Sequence, residues 1–329
     1  MHNIQSFGRV CFFGEHSDWA SEFHIYKGRA LATPLDLGIS AKAKKSNVFS
    51  IYEDNRRIQF ENKDLCAIMK DKTHFYRYVC STVYLMKKRY NILGCVDLVI
   101  DHKNLPIRAG LSSSAAISNL IVKAFDTAYN LRLTENEIMN ISYEAERLTG
   151  SNCGKLDQIG ILKKGLYDIR FDDVTTYNQC EINGNWFFLI VVLGTDKDTM
   201  RILSDLKNSY MENLELQNYL GPFQQAIIEK AIYAFKNYDL RKMGKLLDLT
   251  QKYFDNIIMP ISYEALKAPK FHKLIRDFYV SDRILGAKEI GSHGDGTALF
   301  LVENEKNCDE CIKYIEETYG YKTILLKVS

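Results

Sequence analysis

The sequence predicts an α+β protein, because strand-like and helical patterns mix along the chain without a strict strand–helix–strand alternation. Its 329 residues are enough for one large or two ordinary domains. Hydrophobic residues make up 46% of the chain, which is enough for a full core. Strands are indicated by β-branched and aromatic alternation, and helices by apolar residues at helical spacing.

The predicted elements follow from these patterns in chain order. Strands are expected at residues 4–13, within 36–60, and at 96–100, 186–193, 298–302 and 323–327. Helices are expected at residues 71–88, 117–128, 134–148, 263–278 and 307–319, with two more between 221 and 254. Thr134 and Glu137 form the spacing of a capping box at the start of the third of these helices.

The composition shifts after Gly165, where strand-like segments resume. We therefore expect an N-terminal domain over residues 1–165 and a C-terminal domain over residues 166–329. The chain has no repeat, no low-complexity tract and no proline-rich linker between them.

Charge and hydropathy exclude several classes of protein. Lys and Arg number 43 against 41 Asp and Glu, so nothing favours binding to nucleic acid. The longest apolar run, at residues 186–193, is too short to span a bilayer, and the first apolar stretch is too short for a signal peptide. The eight cysteines fit reduced thiols, with Cys308 and Cys311 packed in a helix in preference to a zinc site. We expect a soluble cytoplasmic protein with no membrane partner.

Residues 105–116 read LPIRAGLSSSAA and lead directly into a helical pattern. A helix N-terminus has free N–H groups and the positive end of the helix dipole, so it is a natural phosphate site. Gly110 lets the backbone approach an anion, and the serines add hydroxyl groups. From these residues alone, a phosphate site and an ordinary serine N-cap both remain open.

Three further segments have distinctive sequences. Residues 8–19 read GRVCFFGEHSDW, residues 150–158 read GSNCGKLDQ, and residues 286–296 read GAKEIGSHGDG. With the serine segment, these four motifs resemble, in order, those of the GHMP small-molecule kinase superfamily. The opening and the CGxxDQ-like loop resemble the galactokinase branch. FGEH at 13–16 and YEAER at 143–147 are similar to mevalonate kinase.

The resemblance implies a two-lobed fold. Its N-terminal lobe would resemble ribosomal protein S5 domain 2, and its C-terminal lobe would be ferredoxin-like. It also implies ATP and Mg²⁺ as cofactors, with Ser114 and Glu146 as metal ligands. Asp157 would accept the proton of the substrate hydroxyl, beside Arg9 as the second catalytic residue. The nucleotide phosphates would bind at Gly110, Leu111, Ser112, Ser113, Ser114 and Ala115.

The resemblance also indicates the substrate. Glu15, His16, Asp18 and Asp157 match positions that bind a sugar, and Trp19 would either stack on the sugar or pack. We therefore expect phosphorylation of a free sugar at its anomeric hydroxyl, giving sugar 1-phosphate and ADP. The alternatives are a mevalonate-type kinase and a non-catalytic sugar or nucleotide sensor derived from such a kinase.

Two departures from the galactokinase pattern lie near these positions. The segment at residues 19–33 is longer, and its Lys27 and Arg29 fit either solvated surface cations or contacts to an acidic sugar. His293 and Asp295 replace glycines in the third motif, and the sequence gives no account of them. It predicts no oligomeric state.

Overall fold

The computed structural model describes residues 2–107, 109–162, 164–195, 198–280 and 283–329. It confirms the α+β class. The chain divides into two compact units, and neither is a continuous stretch. The first comprises Met1–Arg9, Pro34–Ile107 and Leu111–Lys163, and the second comprises Val10–Thr33, Arg108–Gly110 and Lys164–Ser329. The boundary expected at residue 165 stays a prediction.

The strands are numbered in the order in which they follow one another along the chain. They are β1 His2–Phe13, β2 Gly28–Ser46, β3 Phe49–Glu53, β4 Arg56–Phe60, β5 Cys95–Lys103, β6 Leu166–Phe171, β7 Thr175–Cys180, β8 Trp186–Val192, β9 Gly286–Glu289, β10 Thr297–Val302 and β11 Lys322–Val328.

The α-helices include several short ones. They are α1 Ser17–Ala20, α2 Leu65–Lys70, α3 Arg77–Arg89, α4 Ser113–Tyr129, α5 Glu135–Leu148, α6 Thr199–Tyr210, α7 Leu214–Asn218, α8 Gln224–Asn237, α9 Leu240–Tyr253, α10 Tyr263–Leu266, α11 Pro269–Val280 and α12 Glu305–Tyr319. A 3₁₀ helix covers Leu156–Ile161. No helix in the described part of the chain is long and apolar enough to cross a membrane.

In the first unit, strands pack with a group of three helices. β3 pairs in parallel with β5 and antiparallel with β4, and residues 39–46 of β2 pair antiparallel with β5. Helices α3, α4 and α5 pack against one another. The predicted capping box is confirmed, because the Thr134 hydroxyl accepts from the Glu137 N–H at 3.2 Å and Glu137 accepts from the Thr134 N–H at 2.7 Å. This cap defines where α5 begins, and α5 carries Glu146.

The second unit contains an antiparallel sheet in the order β11, β8, β10, β9. Its core includes Phe271 and Phe278 of α11 with Cys308 and Cys311 of α12, so the two cysteines pack as expected. A separate apolar cluster surrounds Trp19. Residues 28–32 of β2 also pair antiparallel with β6 in this unit.

Two predicted helices differ from the observed ones. The helix expected from residue 71 begins at Arg77, because the Asp71 side chain accepts hydrogen bonds from the backbone and hydroxyl of Thr73 and stabilises a turn. The helix expected over 263–278 is interrupted before Pro269, because a proline disfavours the helical conformation of the residue that precedes it.

Candidate active site

The serine segment opens α4, as its sequence predicts, but its hydroxyls point to different partners. Ser112 is the N-cap residue of α4 and has a φ of 63°, in the left-handed region. Ser113 and Ser114 form the first turn of the helix. The division between the units falls within this segment, with Gly110 in the second unit and Leu111 in the first. Because α4 begins at Ser113, the first backbone N–H groups of this helix are free to bind an anion.

Asp157 lies at the start of a 3₁₀ helix and is held by two donors. Arg9 on β1 forms an ion pair with its Oδ1, and the Ser112 hydroxyl donates to the same oxygen at 2.9 Å. Arg9 is buried, and its own backbone N–H donates to the Leu111 carbonyl at 3.2 Å. The Asp157 side chain remains 31% exposed. The structure thus brings together the two predicted catalytic residues and adds Ser112 to them.

Glu146 is buried in α5 beside Ser114. The Ser114 hydroxyl donates to Oε1 at 3.3 Å, and the Gln158 side-chain amide donates to Oε2 at 3.2 Å. Burial raises the pKa of the Glu146 carboxyl well above its ordinary value, and the charge of Asp157 raises it further. A solvent-facing position for Glu146, the other possibility from the sequence, is excluded.

These residues fit a magnesium site. A buried carboxylate with a raised pKa is stabilised by a nearby cation, and a carboxylate with a hydroxyl oxygen suits the oxygen-ligand preference of Mg²⁺. Among the described residues no group of three or more His, Cys, Asp or Glu side chains is placed to hold a metal ion. Nucleotide phosphate oxygens and water would therefore complete the ligand set, as is usual for Mg²⁺ in sites of phosphoryl transfer.

Three of the four predicted sugar-binding residues, Glu15, His16 and Asp18, follow β1 in the second unit and are buried. The fourth, Asp157, belongs to the first unit. Glu15 forms an ion pair with Lys288 of β9, whose side chain is fully buried. His16 accepts a hydrogen bond at Nδ1 from the Trp19 indole N–H at 3.1 Å. Asp18 lies in α1. Sequence reasoning missed the pairing of Lys288 with Glu15, since 273 residues separate the two and nothing in the third motif indicates the partner of Lys288.

Trp19 packs inside the protein, which decides between the two roles that its sequence position left open. Only 1% of it is exposed, and its ring contacts Phe23 and Tyr210 edge-on. The Lys207 ammonium lies 5.6 Å from the centre of the ring. A side chain enclosed in this way has no face left for stacking on a ligand.

The two cations of the long segment at residues 19–33 have different environments. Arg29 is not a solvated surface cation: it is 11% exposed, and its guanidinium donates to both oxygens of Asp168 at 2.7 and 3.0 Å. It is not available to an acidic ligand either, because this carboxylate occupies it. Lys27 is 79% exposed and lies 3.3 Å from Asp172, so it is a surface cation.

The third motif has structural roles for the two residues that the sequence left unexplained. Asp295 accepts from the backbone N–H groups of Lys270 at 2.9 Å and Phe271 at 2.8 Å, so it caps the first turn of α11. The His293 ring stacks on Phe254 with centroids 3.7 Å apart. Both residues have a positive φ, and both are buried.

Glycine is required where the third motif meets the serine segment. Gly291 has a φ of 72°, and a Cβ on it would lie 2.8 Å from the Cα of Gly110. The Thr297 hydroxyl also donates to the Ala109 carbonyl. Gly291 and Thr297 thereby support the backbone of residues 109–110 within the second unit.

Comparisons with known proteins show what this chain is similar to. Residues 77–165, which include Ser112, Glu146 and Asp157, match the family of GHMP kinases N terminal domains. The chain is 26% identical to the galactokinase of Clostridium perfringens (strain SM101 / Type A), over 95% of this chain and 88% of that protein. It is 24% identical to the galactokinase of Thermosipho africanus (strain TCF52B), over 96% and 93%.

Solved structures share the fold. Lactococcus lactis galactokinase complexed with galactose matches with a TM-score of 0.79 at 19% identity, covering 99% of this chain and 92% of that one. The mevalonate kinase of Methanococcus jannaschii matches with a TM-score of 0.75 at 19% identity, covering 98% and 97%.

The predicted resemblance to the GHMP kinases is therefore confirmed, and so is the predicted fold class. The family match at residues 77–165 and the galactokinase relatives together indicate a small-molecule kinase that transfers a phosphoryl group.

Proposed function

We propose that this kinase phosphorylates a free sugar at its anomeric hydroxyl with ATP, giving sugar 1-phosphate and ADP. The main support for this proposal is the position of Asp157. Its Oδ1 forms an ion pair with Arg9 and accepts a hydrogen bond from the Ser112 hydroxyl. Phosphoryl transfer depends on an oriented nucleophile and on charge stabilisation more than on covalent chemistry by the protein. A fixed carboxylate beside an arginine supplies both.

In the proposed reaction the anomeric oxygen attacks the γ-phosphorus of ATP. A new O–P bond forms, the bond between the γ-phosphorus and the bridging oxygen breaks, and ADP leaves with that oxygen. The hydroxyl proton passes to Asp157. The Arg9 guanidinium stabilises negative charge on the transferred group, and the N-terminus of α4 binds phosphate oxygens.

Ser114 and Glu146 would hold the magnesium ion, which supplies charge neutralisation for the phosphates when bound. Glu146 in turn is oriented by Gln158 at 3.2 Å. The protein's own contribution is thus to keep a buried carboxylate and a hydroxyl in fixed positions at the start of α4.

The proposal of a sugar substrate is supported by the galactokinase relatives and by the buried Glu15 and Asp18. Carboxylates accept hydrogen bonds from hydroxyl groups, and a site built for a hydroxyl strongly rejects an analogue that lacks it. The burial of Arg29 against Asp168 favours a neutral sugar over an acidic or phosphorylated one.

A mevalonate-type kinase is the second candidate, and the fold shared with the Methanococcus jannaschii mevalonate kinase is the observation that favours it. Release of ADP in a coupled assay tests both candidates. The purified protein would be given ATP, Mg²⁺ and, one at a time, a panel of neutral hexoses, acidic sugars and mevalonate. We expect ADP release with at least one neutral hexose, galactose being the first choice. Release with mevalonate alone would support the second candidate, and no release with any compound would support a non-catalytic sensor.

A further inference from the structure

The indole of Trp19 is an unusually well fixed hydrogen-bond donor. Its Nε1 lies 3.1 Å from Nδ1 of His16, and the planes of the two rings are inclined by 65°. Tyr210 and Phe23 pack edge-on against the indole. Because these contacts hold the ring, the direction of its N–H is fixed as well.

The turn that carries His16 is also held in place. The Ser17 hydroxyl lies 2.7 Å from the Gly14 carbonyl and 2.7 Å from the Arg29 carbonyl, and its side chain is buried. His16 has a φ of 68° in this turn. The imidazole therefore meets the indole at a defined angle.

This contact determines which nitrogen of His16 carries the proton. An indole N–H can only donate, so Nδ1 of His16 must accept. In a neutral imidazole one nitrogen accepts and the other donates, so the proton lies on Nε2. A phenylalanine ring at position 19 would impose no such choice.

The residues next to His16 in the sequence explain why a hydrogen-bond donor on its ring would matter. Glu15 and Asp18 are carboxylates, which when ionised only accept hydrogen bonds. A sugar hydroxyl has one proton to donate and lone pairs that accept. Beside the ion pair of Glu15 with Lys288, carboxylates can accept hydrogen bonds from sugar hydroxyls, and an Nε2–H group on His16 supplies the donor that a hydroxyl oxygen needs.

We propose that Trp19 is a positioning residue that keeps His16 as the Nε2–H tautomer, so that His16 donates a hydrogen bond to a hydroxyl oxygen of the substrate. The pair thereby contributes to the choice of substrate. This inference rests on the proposed sugar kinase function for its second half, whereas the tautomer itself follows from the described contact alone.

The test uses the full chain labelled with ¹⁵N-histidine. The His16 signals, among those of seven histidines, are assigned by their loss in the variant His16→Asn, since asparagine tolerates a positive φ. Chemical shifts of the two ring nitrogens then report the tautomer of neutral His16 in the parent protein. The informative variant is Trp19→Phe, which removes the N–H and keeps an aromatic ring.

The chain offers a matched control. Trp186 is buried too, and its Nε1 donates to the Asn183 carbonyl at 3.0 Å. Trp186→Phe removes the same kind of hydrogen bond away from the GEHSDW turn. We expect the Nε2–H tautomer in the parent and in Trp186→Phe, and its partial loss in Trp19→Phe. The KM for the accepted sugar should rise about five-fold in Trp19→Phe only, the usual effect of one neutral hydrogen bond, with kcat little changed.

Each other result overturns a defined part of the proposal. The Nδ1–H tautomer in the parent, or no change in Trp19→Phe, would overturn the positioning role of Trp19. A lost tautomer with an unchanged KM would overturn the contact from His16 to substrate. If the parent phosphorylates no sugar, the proposed function and the substrate contact both fail, while the tautomer measurement still decides the role of Trp19.

Discussion

Ser112 and Asp157 are joined by a hydrogen bond of 2.9 Å, in which the serine hydroxyl donates to Oδ1 of the carboxylate. The same oxygen forms the ion pair with Arg9. Within the described residues Oδ2 accepts no hydrogen bond, whereas Oδ1 accepts two. Under the proposed function, Oδ1 therefore orients the carboxylate and Oδ2 accepts the proton of the substrate hydroxyl.

Replacing Asp157 by Asn tests the chemical role. The amide keeps the size of the side chain but is a very weak proton acceptor, so kcat should fall by about two orders of magnitude or more. Nucleotide binding, measured by calorimetry, should stay close to that of the parent. Asp101→Asn is the control, since Asp101 forms a surface ion pair with Lys42 at 3.4 Å and belongs to no part of the proposed site. Near-normal turnover of Asp157→Asn would remove Asp157 from the mechanism.

Replacing Ser112 by Gly tests the orienting role. Glycine accepts the φ of 63° without strain, so the change removes the hydroxyl and little else. We expect kcat to fall about ten-fold, because a hydrogen bond to a charged group is lost, while the KM for ATP stays nearly constant. The resemblance to the GHMP kinases instead implies that Ser112 binds phosphate. A raised KM for ATP with an unchanged kcat would support that assignment and contradict this one.

The magnesium requirement tests the pair formed by Ser114 and Glu146. Ser114→Ala and Glu146→Gln should each raise the Mg²⁺ concentration needed for half-maximal activity, since each removes one oxygen ligand. Glu146→Gln should have the larger effect, because it also removes a negative charge. Titrations with Mg²⁺ at saturating ATP measure this. Thr127→Ala is the control, because the Thr127 hydroxyl lies further along α4 and donates to the Lys123 carbonyl at 2.8 Å. Unchanged titrations in both variants would argue against the site.

The raised pKa of Glu146 predicts a pH dependence of stability in the absence of Mg²⁺. Because folding raises this pKa, the stability that the protonated carboxyl contributes is fully present below the ordinary glutamate pKa of about 4.3. It is lost as the pH rises through the folded-state value. Glu146→Gln does not titrate, so its free energy of unfolding should increase relative to the parent across this range.

Urea denaturation of the two proteins at a series of pH values, without metal, measures the difference. Saturating Mg²⁺ should reduce it, because the cation stabilises the ionised carboxylate. A difference that is independent of pH would show that Glu146 is ionised in the metal-free folded state and that burial does not raise its pKa.

Local patterns predicted much of the fold and the order of the motifs. The capping box of Thr134 and Glu137 and the helix that follows the serine segment depend on residues close in sequence. The close pairing of Arg9 with Asp157 followed from the resemblance, not from a pattern in the chain. Such features can be predicted from the sequence because the interacting groups either are close together along the chain or belong to recognised motifs.

The features that the sequence did not reveal depend on contacts between distant segments. Lys288 reaches Glu15 across 273 positions, and Arg29 reaches Asp168 across 139. Asp295 stands in a glycine-rich motif, yet its position is explained by the N–H groups of a helix that begins at Pro269. A left-handed backbone at Ser112 turns its hydroxyl towards Asp157, and local propensity gives no sign of that conformation.

The position of the phosphate on the product decides whether this protein is a sugar 1-kinase. The sugar that gives the fastest ADP release would be converted completely, and the product examined by phosphorus and proton NMR. We expect a phosphate ester on the anomeric oxygen, seen as coupling between the phosphorus and the anomeric proton. Phosphate on a primary hydroxyl, or a product from mevalonate alone, would contradict the sugar 1-kinase assignment.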